Sequence, residues 1–347
     1  MVNKKNKKGI TPVIALVMLM LVTVGIVGVS AAWFSGVLLT QTKKSISIPA
    51  GGAYCSGGEI KVFVLNNGYS AITASDILVA QVDGNDVLNT PFFGDMKSGL
   101  VGYWKFDEGS GAIATDSSGS GNNGNLQPAC PDCPTRTSGK SLNAIKFDGV
   151  NDFVSMSHSP SLDLERTQSF SASAWAKIDI TSGNNFPIIE KNSGGVIDRG
   201  ISFTVRAATL IDLVLQGDSI SNRIYWRAPL GITLSNWNHY AFTYDGSSDV
   251  AGVKVYVNGL QLSPTYTENT LTTSIKNIQP VRTGYGFAGS FAKGTIDEVK
   301  IYNKAIGDLN IQPSSSGLVI NYPGLEGKHS VGIVTSSGAV ETGVTCA

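Results

Sequence analysis

The stretches "FSASAWAKI" (170–178) and "VKVYVNGLQL" (253–262) decide how this chain folds. In the first, Ala172, Ala174 and Ala176 alternate with Ser171, Ser173 and Trp175. In the second, Val253, Val255 and Val257 alternate with Lys254, Tyr256 and Asn258. Side chains two apart on a strand share a face, so each stretch reads as a strand with two distinct faces. The second runs into Asn258-Gly259, a hairpin signal. The surrounding composition agrees: 347 residues with 40 glycines, only 15% charged residues, and Asn, Ser and Thr between short apolar runs. Many short strands with regular turn signals predict antiparallel sheets packed face to face. The 26 basic and 26 acidic residues balance, which excludes a global field for nucleic acid.

Four more stretches stand in order around these two: "GLVGYWKFDEGSGAIATDSSGSGNNGNL" (99–126), "IKFDGVNDFVSM" (145–156), "WNHYAFTYDG" (237–246) and "GTIDEVKIYNKAI" (294–306). Over residues 98–308 this series resembles a LamG-like jellyroll of the concanavalin A-like lectin/glucanase superfamily. The resemblance implies an antiparallel jellyroll in which Trp104, Phe106, Trp175, Trp237 and Tyr302 are core aromatics.

The superfamily includes glucanases, so carboxylate pairs matter. Retaining glycosidases need two carboxyl groups about 5 Å apart. Asp107-Glu108 and Asp297-Glu298 are adjacent in sequence, which points their side chains to opposite faces of a strand, and no E-x-D-x-x-E pattern occurs. His158, His239 and His329 sit in unrelated contexts, so no Ser/His/Asp arrangement stands out and the chain reads as a non-enzyme. Calcium is the expected cofactor. Hard cations take loop oxygens, which Asp148, Asn151 and Asp152 supply. By the resemblance Asp297 would complete the site, with Asp148 and Asp152. The same residues are also ordinary turn formers. For a ligand, "RIYWRAPLG" (223–231) offers Tyr225, Trp226 and Arg227 beside Arg223. Aromatic faces suit sugar rings and arginine suits carboxylated ones; the stretch reads equally as a strand with one buried aromatic.

The N-terminus carries Lys4, Lys5, Lys7 and Lys8, then no ionisable side chain from Gly9 to Thr42. A span of roughly 20 apolar residues crosses a bilayer, and the lysines would stay inside, placing the bulk of the chain outside as a single-pass protein. Three readings compete. Val29-Ser30-Ala31 is an acceptable site for a cleaved secretory signal, although the apolar run continues through Leu39. A plain anchor is the second. The third rests on Lys-Lys-Gly followed by Ile-Thr-Pro-Val-Ile, which resembles the class III signal of archaeal prepilins. That resemblance implies a leader at 1–9, cleavage by a prepilin peptidase between Gly9 and Ile10, and a retained helix over 10–42 that packs with other pilin-like subunits. Thr11 would cap it and Pro12 suits its first turn, while the glutamate common at the fifth mature position is replaced by Ile14.

Residues 45–97 and 310–347 hold further strand patterns, among them alternation at Ile60, Val62 and Val64 and a hairpin signal at Asp83-Gly84. They resemble the β-rich head of an archaeal pilin, β-sandwich-like and split by the jellyroll. Four cysteines allow three pairings. Cys55 with Cys346 would tie the chain end to the first head strand, leaving Cys130 and Cys133 to close a local loop. The expected protein is mainly β: an N-terminal apolar helix, a small head and an inserted jellyroll. Its expected role is that of a surface adhesion subunit, in the membrane or an extracellular pilus, that binds glycans or extracellular proteins. A secreted or anchored lectin-like protein that never polymerises is the alternative.

Overall fold

A computed structural model describes residues 45–87, 99–179, 184–192, 199–286, 289–304, 310–311 and 316–346, apart from positions 57, 69, 71, 74, 75, 325, 336 and 337. The expected leader and apolar helix, with Gly9 and Ile10, lie outside the described residues. Within those residues no helix is long and apolar enough to cross a membrane.

The protein is mainly β, and its larger part is an antiparallel jellyroll. One sheet orders its main strands as Thr135–Ser138, Asn143–Asp148, Lys293–Tyr302, Phe170–Ile178, Asn238–Tyr244 and Val253–Val257; Leu100–Trp104 also pairs with Lys293–Tyr302. The other runs from Tyr266–Asn269 through Arg223–Pro229, Leu210–Gln216, Gly200–Arg206 and Asn185–Lys191 to Val281–Thr283 and Phe153–Met156. The alternating strand pattern explains the sandwich. Ala172, Ala174 and Ala176 face Phe203, Leu213 and Trp226 across one apolar core, and the small alanines leave room for Phe242 and Phe203, whose rings meet edge-on at 5.0 Å.

A smaller unit is built from the segments on either side of the jellyroll. Glu59–Asn66 pairs antiparallel with Ser316–Pro323, and Ile77–Val82 pairs with Gly327–Thr335. Their inward residues, Ile60, Val62, Val64, Ala80, Ile320 and Ile333, form a second core that also takes in Ala241 and Tyr256 from the outer face of the first jellyroll sheet. Cys55 is bonded to Cys346, and Cys130 to Cys133. The two units meet closely at the Asn258-Gly259 turn: Asn258 and Gly259 both have positive φ, and a Cβ on Gly259 would stand 2.1 Å from the Tyr322 ring.

The seam between the units carries buried charge. Lys300 Nζ donates to both carboxylate oxygens of Glu59 at 2.7 and 2.8 Å and lies 3.6 Å from Glu298, whose Oε2 accepts from Tyr103 OH at 2.5 Å. Burial opposes both charges. Even so, the Glu59 carboxylate holds the Lys300 ammonium well above its ordinary range, and the Lys300 and Lys61 ammoniums hold Glu59 below its own.

Two sequence expectations are corrected here. Asp297 and Glu298 do not face opposite ways. The strand carries an extra residue between the pairs Ser173–Lys300 and Trp175–Asp297, and Glu298 takes φ 53°, so this bulge turns both carboxyls to the outer face. Of the expected core aromatics, Trp104 and Phe106 are in the jellyroll core and Tyr302 is buried. Trp175 is buried on the other face of its sheet, against His239, and Trp237 is only half-buried.

Breaking the seam should be costly. Lys300→Met leaves Glu59 buried without its ammonium, and such a loss costs about 3–5 kcal/mol. Urea unfolding should show that drop for Lys300→Met, and a Glu59→Gln/Lys300→Met double variant should recover much of it.

Candidate functional site

The outer face of the second sheet is where functional side chains collect. On Gly200–Arg206 the outward positions are Ser202, Thr204 and Arg206; on Leu210–Gln216 they are Asp212, Val214 and Gln216; on Arg223–Pro229 they are Arg223, Tyr225 and Arg227. The inward positions between them (Phe203, Leu213 and Trp226, for example) are core. Strand register lines the outward groups up. Arg282, Glu190, Ser202, Val214, Tyr225 and Glu268 stand directly opposite one another across six strands. A groove opens over this ladder, lined by Asn185, Ser202, Thr204, Arg206, Val214 and Gln216 among others.

The charged groups of the groove are mostly committed to one another. Arg227 holds Asp212 in a two-point fork, with Nε at 2.7 Å from Oδ1 and Nη2 at 2.8 Å from Oδ2. Tyr225 OH adds a bond to Oδ2 at 2.8 Å. Arg223 holds Glu268 in the same way at 2.6 and 2.7 Å, with Tyr266 OH donating to Oε1 at 2.5 Å. Such forks are the strong form of charged hydrogen bond. Hydrogen bonding to Arg223 pulls the Glu268 carboxyl down to about 2, while burial and the Asp212 bond push the Tyr225 phenol up to about 12. Arg206 is looser: half of its side chain is exposed, and its Nη1 stands 3.6 Å from Asp212.

Glu190 lies under the groove floor and is fully buried. Its Oε1 accepts from Ser202 Oγ at 2.7 Å and Thr204 Oγ1 at 2.6 Å, and its Oε2 accepts from Asn192 Nδ2 at 2.6 Å. Burial pushes its carboxyl up to about 7, only partly offset by these neutral donors and by Arg282. Beyond it, Phe153, Tyr285 and Phe291 form a half-buried aromatic cluster with centroids 4.9–6.4 Å apart, and the Arg282 guanidinium lies 5.6 Å from the Tyr285 ring.

Of the expected ligand residues, Tyr225 and Arg227 reach this face and Trp226 does not; Trp226 is 2% exposed and points into the core, as strand alternation requires. Tyr225 is no stacking platform, because the Arg223 and Arg227 guanidiniums flank its ring at 4.9 Å each. The expected calcium set is not assembled. Asp152 Oδ2 accepts from the Asp148 amide and Asp148 Oδ1 from Val150, which closes a turn. Asp297 sits several residues along the neighbouring strand, where it accepts from the amides of Ser141 and Glu298, and burial pushes its carboxyl up to about 8. No group of three or more metal-ligating side chains occurs among the described residues. Sequence reasoning missed Glu190, Ser202, Thr204, Asp212 and the aromatic cluster. The legible signal was the alternation of Ser202, Thr204 and Arg206 with apolar residues, and of Asp212 and Gln216 at the two ends of 212–216.

Residues 148–312 match the Laminin_G_3 family model, described as the concanavalin A-like lectin/glucanases superfamily, and this part of the chain is a concanavalin A-like jellyroll domain. Similar solved structures include the binding domain of Paraclostridial Mosquitocidal Protein 1, at 15% identity and TM-score 0.46, covering 60% of this chain and 50% of that one. Trypanosoma rangeli sialidase in complex with sialic acid is 18% identical with TM-score 0.43, covering 59% and 31%. Domain 4 of the extracellular arabinanase AbnA from Geobacillus stearothermophilus, in complex with arabinotriose, is 18% identical with TM-score 0.43, covering 60% and 93%. The matched region thus spans half of the first protein's chain and about a third of the sialidase. No curated protein matches.

The forks should separate structural from accessible arginines. Arg227→Met removes the two-point fork from the buried Asp212, leaving only the looser Arg206 beside it, and should cost about 2–3 kcal/mol in urea unfolding. Arg206→Ala should cost less than about 0.5 kcal/mol, as exposed substitutions do.

Proposed function

We propose that this chain is a cell-surface binding subunit whose jellyroll takes a glycan in the groove of its second sheet. The observation that carries the reading is the register-matched row across six strands, polar at every member but Val214, with an aromatic cluster at one end. Sugars present hydroxyls along their edges and apolar C–H faces to rings, and a polar floor beside aromatics answers both. The reading is of binding, not catalysis: Asp212 and Glu268 are each held in a guanidinium fork and Glu190 has no exposed surface.

The groove and the smaller unit lie on opposite faces of the sandwich, since the smaller unit covers the outer face of the other sheet. A groove turned away from the anchored end of the chain suits display. In this reading the apolar segment 10–42 inserts in the membrane. Prepilin-type cleavage after Gly9 then leaves a helix that associates with other pilin-like subunits. The support is the Lys-Lys-Gly-Ile signal and the length of the uncharged run.

Two measurements test the two halves. Mass spectrometry of protein from native membranes should give a mature N-terminus at Ile10; a start at Ala32, or an uncut leader, removes the pilin half and leaves a secreted or anchored lectin-like protein. Glycan-array binding should identify ligands whose affinity falls about five- to twentyfold in an Arg206→Ala/Gln216→Ala variant, the equivalent of one to two hydrogen bonds. An unchanged array profile in that variant would place the ligand elsewhere.

A further inference from the structure

Glu190 is a buried carboxyl whose partners are the groove's own floor, and this has a consequence for what the groove accepts. A serine or threonine hydroxyl has a single hydrogen to give. With Glu190 ionised, Ser202 and Thr204 both give theirs to its Oε1, at 2.7 and 2.6 Å, so toward the groove they present only lone pairs. Asn192 likewise spends a donor on Oε2. The arginines do not build an anion site over these hydroxyls: Arg223 and Arg227 have their forks closed on Glu268 and Asp212, and the looser, half-exposed Arg206 stands 3.6 Å from the Asp212 carboxylate. A ligand over Ser202 and Thr204 must therefore donate hydrogen bonds to them, and the ionised Glu190 beneath opposes a negative charge at that place.

We propose that the groove selects a neutral, hydroxyl-rich glycan, and that the protonation state of Glu190 switches the floor between accepting and donating hydrogen bonds. The inference rests on the glycan reading above. When Glu190 takes a proton from solvent at Oε1, its O–H can point to only one hydroxyl oxygen, Ser202 or Thr204. That hydroxyl's hydrogen is then released toward the groove, and an acceptor there becomes a donor. The groups facing Glu190 do not duplicate the switch. The Val281–Thr283 strand offers the Arg282 guanidinium, which stays charged; Gly200–Arg206 offers the two hydroxyls; Tyr285–Gly286 brings the Gly286 backbone, whose Cβ would lie 3.0 Å from Oε1, and Tyr285, whose ring lies 5.6 Å from the Arg282 guanidinium. On its own strand, Lys191 turns away to bond Asn277 and Gln279. The carboxyl is placed by burial to titrate near neutrality, at about 7.

The test uses the full chain in detergent micelles, with cellotriose, xylotriose, arabinotriose and mannotriose as neutral probes and trigalacturonate as the anionic one, at pH 8.5 and 5.5. Expected is binding of a neutral probe at pH 8.5, about five- to tenfold weaker at pH 5.5, with no gain for trigalacturonate. Glu190→Gln should bind with the weaker affinity at both pH values. An infrared titration of unliganded wild type against that variant should show one carboxyl ionising near neutrality. Should the variant not fold, the wild-type pH profile and its carboxyl band decide by themselves. Binding that is flat with pH, or a preference for trigalacturonate, overturns this inference and leaves the glycan reading intact. So does a carboxyl already ionised at pH 5.5. Absence of binding by every probe at both pH values removes the glycan reading, and this inference with it.

Discussion

The Lys300–Glu59 pair constrains everything around it. A lysine on the outer face of a jellyroll strand would ordinarily reach water. Here the smaller unit closes over it, and the closure is tolerable only because a carboxylate from that same unit meets the ammonium with both oxygens. Two charges removed from water are costly unless their remaining hydrogen-bonding capacity is used. Around the pair stand the Tyr103 ring beneath the ammonium, Glu298 at 3.6 Å from it and Lys61 at 3.9 Å from the carboxylate, which add favourable electrostatics. The pair therefore specifies which face of the jellyroll the smaller unit covers, and in what position.

That choice decides the remainder of the surface. With the outer face of the first sheet covered, the outer face of the second is left to the groove. The two faces are separated by the apolar core, so the charge network of the seam and the hydrogen-bond ladder of the groove are independent systems. They are also built differently. The seam pairs full charges between units distant in sequence, whereas the groove pairs neighbours across adjacent strands and leaves one carboxyl, Glu190, hydrogen-bonded by neutral donors, with the Arg282 guanidinium nearby but not bonded to it in a fork.

The bulge at Glu298 ties the seam to the core. By adding a residue to one strand it keeps Ile296, Val299 and Ile301 inside while bringing two adjacent acids to the outer face. Without it, strict alternation would send either Asp297 or Glu298 into the apolar core, where an unpaired carboxyl is not tolerated.

Much of the architecture was legible in the sequence. The alternation at 170–178 and 253–262 determined strands and faces, because a side-chain period of two admits no other reading for a half-buried segment. It also told Trp226 from Tyr225 and Arg227 in principle, since neighbours on a strand part company. What the sequence could not say was which strand lies beside which, and at what register. Glu190 meets Ser202 and Thr204, and Lys300 meets Glu59, only once packing has brought strands together across 12 to 241 residues of chain. The bulge was equally hidden, since Asp297-Glu298 carries no glycine to announce a positive φ. Local alternation was a property of the sequence by itself. The site, the seam and the sharing of one face by two adjacent acids were decided by tertiary structure, because the interactions that hold them are long-range.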